Sequence, residues 1–131
     1  MKLVQKGFAV AAMTIGAGVL AAGPAVAAPY WQSFSTNSNW SCGDTHRVPN
    51  TSVFTQVCIV KNDTGTYRQA VVIVNNQQGR QVQIEGGVGS NFGSSGWCNR
   101  SDLNPGLKTA CFGNTVKASS GSAWSTVGVG L

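Results

Sequence analysis

Tyr67-Arg68-Gln69-Ala70-Val71-Val72-Ile73-Val74, then Asn75-Asn76-Gln77-Gln78-Gly79, then Gln81-Val82-Gln83-Ile84-Glu85: these stretches, almost contiguous in the chain, decide the fold. The first ends in four consecutive β-branched residues, which suit a pleated and buried surface. The second is a cluster of turn formers. The third alternates strictly, with Val82 and Ile84 on one side and Gln81, Gln83 and Glu85 on the other. That period belongs to a strand with one wet face.

Working outward, residues 53–60 carry apolar side chains at both parities (Val53, Val57 and Ile59 against Phe54, Cys58 and Val60), as a strand buried on more than one side does. Asn62-Asp63-Thr64-Gly65 separates this run from Tyr67, so the two strands form an antiparallel hairpin. Asn104-Pro105-Gly106 marks another turn, because Pro presets φ and Gly accepts positive φ. Strands follow at residues 107–116 and 123–129. Residues 86–96 contain five glycines and read as a flexible loop or a bulged strand, ended by Trp97-Cys98. Residues 28–50 are polar and aromatic, and read as extended chain with one short strand around Trp40-Ser41-Cys42. No window combines helical apolar spacing with caps. The expectation is an all-β protein: a small antiparallel β-sandwich, or a barrel-like sandwich.

The start of the chain has a different character. Lys2 and Lys6 precede an uncharged run through Phe8, Val10, Ile15, Val19 and Leu20; Gly23-Pro24 breaks it, and Ala25-Val26-Ala27 follows. This is the order of a signal peptide, with small residues where a signal peptidase reads. The apolar run is too short for a membrane span, which needs about 20 residues. Residues 1–27 are therefore expected to be removed and residues 28–131 to act as one secreted domain, with no membrane segment after removal. Seven basic residues remain once Lys2 and Lys6 are set aside, against four carboxylates, a formal charge of +3. The basic residues are scattered and form no patch interleaved with aromatics, which argues against nucleic-acid binding.

Cys42, Cys58, Cys98 and Cys111 all lie after the leader. Four cysteines allow three pairings. The local one, Cys42–Cys58 with Cys98–Cys111, is favoured, and each bridge would stabilise by about 3 kcal/mol through loop entropy. A secreted domain this small commonly carries such staples. No pair has the close C-x2–4-C spacing of zinc sites, and nothing in the sequence calls for a metal or a cofactor.

Candidates for chemistry are few. His46 is the one histidine, two residues after Asp44. An Asp-x-His pair beside a serine would suit base-assisted nucleophilic attack, but such a triad is defined by geometry rather than spacing. Glu85, His46 and Arg80 or Arg68 supply the residue types of a small ribonuclease, with nothing that brings them together. No catalytic residues are assigned. The notable excess is tryptophan, at Trp31, Trp40, Trp97 and Trp124. Trp97 and Trp124 lie beside or within expected strands and are expected in the core. Trp31 lies near the new N-terminus and is carried as a partner-binding aromatic.

Trp40-Ser41-Cys42-Gly43, Cys58-Ile59-Val60, Gln69-Ala70-Val71-Val72-Ile73-Val74, Leu103-Asn104-Pro105-Gly106 and Ala110-Cys111-Phe112-Gly113 resemble segments of small secreted proteins of Streptomyces and related actinobacteria. That resemblance implies a two-disulfide β-sandwich and no particular activity. In architecture the chain is also similar to the tendamistat-like α-amylase inhibitors, whose first cysteine pair has a comparable spacing. Their inhibitory Trp-Arg-Tyr motif has its nearest echo here in Tyr67-Arg68, although the second cysteine pair is closer together than theirs. The reactive-loop sequence of the Streptomyces subtilisin inhibitors is not found.

The functional expectation is a secreted, non-enzymatic binding protein that engages an extracellular protein or polysaccharide. An inhibitor-like role is placed first, with Trp31, Tyr67 and Arg68 as partner-binding candidates. The alternatives are a carbohydrate- or cell-wall-binding module that uses exposed Trp, and a small secreted toxin or hydrolase.

Overall fold

The structure is a computed structural model that describes residues 27–131; the expected leader lies, but for Ala27, outside the described residues. Seven strands follow in order: β1 (Trp40–Arg47), β2 (Val53–Lys61), β3 (Tyr67–Asn76), β4 (Val82–Ser90), β5 (Gly96–Leu103), β6 (Lys108–Lys117) and β7 (Ala123–Gly130). They form a four-stranded sheet, β1-β2-β3-β6, and a three-stranded sheet, β5-β4-β7. Every pairing is antiparallel. The chain meanders through β1, β2 and β3, crosses for the β4–β5 hairpin, returns as β6 beside β3, and crosses again as β7 beside β4. The expected all-β sandwich is what forms.

Local chemistry sets the corners. At the β2–β3 turn, Gly65 takes φ 74°, and the Asn62 side-chain oxygen accepts from the Tyr67 amide at 3.0 Å. The crossing from β3 to β4 is tied by Asn76, which is fully buried. Its side-chain amide donates to the carbonyls of Arg80 (2.8 Å) and Leu103 (2.9 Å), and its oxygen accepts from the Gln78 amide at 2.8 Å. A buried amide is tolerated only with such partners.

Two cores explain the double apolar parity of β2 and β3. Between the sheets lie Val53, Ala70, Val72 and Val74 against Val82, Ile84, Val88 and Leu103. On the outer face of the larger sheet lie Cys58, Val60, Val71, Ile73 and Phe112, with Trp40. The segment before β1 covers this second core. Gln32 exchanges two backbone hydrogen bonds, each 2.9 Å, with Ala110 on β6, and Trp40 pairs with Val60 at the other side of the sheet. Residues 33–39 therefore strap across the face. Phe34 packs at 5.9 Å on Trp40, which meets Phe112 edge-on at 6.1 Å.

The bridges are Cys42–Cys58 and Cys98–Cys111. Cys42 and Cys58 are opposed residues of β1 and β2, so that bridge lies within one sheet. Cys98 is on β5 and Cys111 on β6, so the second bridge ties the two sheets together.

Four expectations need correction. The expected short strand at Trp40 runs on to Arg47 as an exposed edge. Of the two readings of the glycine-rich stretch 86–96, strand holds for most of it, since β4 continues to Ser90; the strand that the sequence reading lacks is β5, which begins at Gly96. The remaining loop is pinned, because the buried Ser94 hydroxyl accepts from the Ala70 amide (2.9 Å) and donates to the Asn114 carbonyl (2.6 Å). Trp97 and Trp124, expected in the core, are 52% and 53% exposed, whereas Trp31 is 1% exposed. The Trp31 ring packs in the inter-sheet core and its Nε1 donates to the Asn99 carbonyl at 3.0 Å, which removes it as a partner-binding side chain.

Candidate functional site

The outer face of the three-stranded sheet gathers the exposed aromatics. Trp97 on β5 pairs with Gly87 of β4, and Trp124 on β7 pairs with Gly89 of β4. Gly87 and Gly89 are two apart on one strand and so share a face. Val88 between them points into the core. Both indoles therefore project from the same outward face, on the two strands that flank β4. Strand spacing and rise put their Cα atoms on the order of 12 Å apart.

The glycines shape this face. A Cβ on Gly89 would lie 2.7 Å from Nε1 of Trp124, so the indole lies over the bare backbone at that position. A Cβ on Gly86 would meet the Thr126 carbonyl of β7 at 2.2 Å, and one on Gly87 the Gly96 carbonyl of β5 at 2.0 Å. At both positions the backbone of the neighbouring strand occupies the space a side chain would need. On β7, the outward positions Gly128 and Gly130 leave a floor without side chains.

Along that floor runs an open groove of about 530 Å³, lined by Trp97, Gln83, Glu85, Arg100, Thr126 and Gly128 among others. Arg100 and Glu85 form an ion pair at 3.7 Å, with both side chains well exposed. Such a pair adds little stability. Its consequence is local: the two formal charges cancel beside the Trp97 ring. The groove offers one indole face, amide and hydroxyl groups at Gln83 and Thr126, and no net charge.

The other candidates lie elsewhere. Tyr67 and Arg68 are half-buried on β3, in the opposite sheet. Arg68 is held by its Nε, which donates to the Ala118 carbonyl at 3.1 Å. Asp44 and His46 line a second cleft, of about 460 Å³, between the β1–β2 edge and β7, with Arg47, Val57, Trp124 and Ser125. Among the described residues no hydrogen bond links Asp44, His46 and Ser125, so the relay of a nucleophilic triad is not assembled there.

Sequence reasoning placed Trp97 and Trp124 on the wrong side, yet parity carried the signal. Adjacent strand residues point to opposite faces. A core-facing Cys98 turns Trp97 outward, and core-facing Val127 and Val129 turn Trp124 outward.

No protein family, curated protein or solved structure matches this chain.

Proposed function

We propose that the protein is a non-enzymatic, secreted binding module whose ligand is a neutral polysaccharide, held on the outer face of the β5-β4-β7 sheet. The observation that carries this reading is the pair of half-exposed tryptophans, Trp97 and Trp124, on one face with a glycine floor beside them. A pyranose ring has an apolar C–H face and a rim of hydroxyls. An indole offers the matching flat apolar surface, and Gln83, Thr126 and the Arg100–Glu85 pair supply donors and acceptors at the rim. The groove is shallow and open, which suits a polymer lying along it better than a small molecule, whose sites enclose most of the ligand. The balanced charge favours a neutral chain over a polyanion. The inhibitor reading has less support, because the Tyr67-Arg68 pair is half-buried and Arg68 is engaged by the protein itself.

The test is depletion of the purified protein from solution by insoluble cellulose, chitin and bacterial cell-wall material. Retention on at least one of them, largely insensitive to salt, is expected. Failure on all three, together with a tight complex with a secreted hydrolase, would return the inhibitor reading to first place.

A further inference from the structure

The four sheet edges are treated very differently. Edge strands present unpaired backbone groups and are normally blunted by charge, bulges or a covering segment. The β1 edge carries Asp44, His46 and Arg47 and is broken by a register shift between Cys42 and Thr45. The β5 edge is covered: the Asn99 amide donates to the Pro29 carbonyl at 3.0 Å, and the Asn99 carbonyl accepts from Trp31. The β6 edge is covered by Gln32, which pairs with Ala110. The β7 strand itself carries none of these devices, the charges of Asp44, His46 and Arg47 lying across a cleft from it. Its register with β4 is unbroken over eight consecutive pairs, from Gln83↔Gly130 to Ser90↔Ala123. Its sequence, Ala-Trp-Ser-Thr-Val-Gly-Val-Gly, has no charge and no proline. Among the described residues no hydrogen bond joins β7 to any strand but β4.

We infer that the β7 edge is an interface with a second copy of this chain, in which two β7 strands pair antiparallel and join two β5-β4-β7 sheets into one six-stranded sheet. The strand is self-complementary in three respects. It carries no charge, so an antiparallel copy opposes no like charges. A two-fold axis centred on Val127 keeps the side-chain parity, so core-facing residues meet core-facing residues. That register sets Val127 against its own copy and Ser125 against Val129. Val127 and Val129 pack on the core yet are only partly buried at the open side of the sandwich, and the second strand covers them. On the outward face the same register sets Trp124 against Gly130 and Thr126 against Gly128, so each indole meets a position with no side chain. The two outward faces become continuous, with Trp97 and Trp124 present twice. This inference stands independently of the ligand, since it rests on the edge and not on the groove.

The experiment is sedimentation of the purified protein across a concentration series, for the parent, the Thr126→Lys/Gly128→Lys double variant and Ser41→Lys. The parent should pass from single to double mass as concentration rises. The double variant sets lysines opposite each other in the paired strands, and should raise the dissociation constant about tenfold or more. Ser41→Lys, on the β1 edge, should leave it unchanged. Amide exchange of the parent adds a readout that needs no variant: the β7 amides that point away from β4 should become protected with concentration. A single mass at every concentration would overturn the proposal. So would a dimer indifferent to the paired lysines, or a β7 edge protected only by an added foreign peptide.

Discussion

At the residue scale, what matters on the outward face is the room left by missing side chains. Trp124 lies where Gly89 has no Cβ, at 2.7 Å from the position one would take. Gly89→Ala should therefore displace the indole. Its stability cost should stay below about 1 kcal/mol, since the obstructing group is the end of a side chain that can move. Tryptophan emission should shift, and polysaccharide retention should fall toward that of Trp124→Ala. Unchanged emission and retention would mean that the indole does not rest there. Ser94 tests the other kind of residue effect. Its hydroxyl replaces a ladder partner for the Ala70 amide and also caps the Asn114 carbonyl. Ser94→Ala leaves the buried Ala70 amide without this partner and the part-buried Asn114 carbonyl without its cap, and should cost about 1–3 kcal/mol in urea unfolding. A change within a few tenths of a kcal/mol would contradict this role.

At the element scale, the two bridges should fail differently. Cys98–Cys111 joins the sheets, so the Cys98→Ser/Cys111→Ser variant should lose about 3 kcal/mol of global stability. Cys42–Cys58 joins edge strand β1 to β2, so the Cys42→Ser/Cys58→Ser variant should speed amide exchange first in β1, as local opening at an edge. Equal loss of protection in all strands for both variants would refute this division. Legibility in the sequence also divides by element. β3, β4 and β6 were readable because β-branched runs and strict alternation report burial directly. β5 was not, because Gly96-Trp97-Cys98-Asn99-Arg100-Ser101-Asp102-Leu103 buries only Cys98 and Leu103. A register shift opposite, between Ile84 and Gly86, breaks its alternation as well. Most of β1 stayed hidden because its residues after Trp40 are exposed, so no hydrophobic period marks them. The strap at residues 33–39 was invisible, since its place depends on the pairing of Gln32 with Ala110 of β6, which is distant in sequence.

At the scale of the whole molecule, the sandwich separates two tasks. The larger sheet packs apolar side chains on both faces, against the inter-sheet core and beneath the strap with Phe34 and Trp40. The smaller sheet keeps one face open, and that face bears Trp97 and Trp124. The fold class and both bridges were legible in the sequence. The candidate site was legible only in part: the excess of tryptophan supported the alternative of a module with exposed Trp, but Trp97 and Trp124 were expected in the core, since which rings face solvent is set by strand parity around Cys98 and Val127. The proposed ligand surface is that open face. The most direct measurement is a titration of the four indole N–H resonances by NMR, with soluble oligosaccharides of whichever polysaccharide retains the protein. Trp97 and Trp124 should shift with saturation while Trp31 and Trp40 stay fixed. Saturable shifts at other sites with Trp97 and Trp124 unmoved would contradict the proposal.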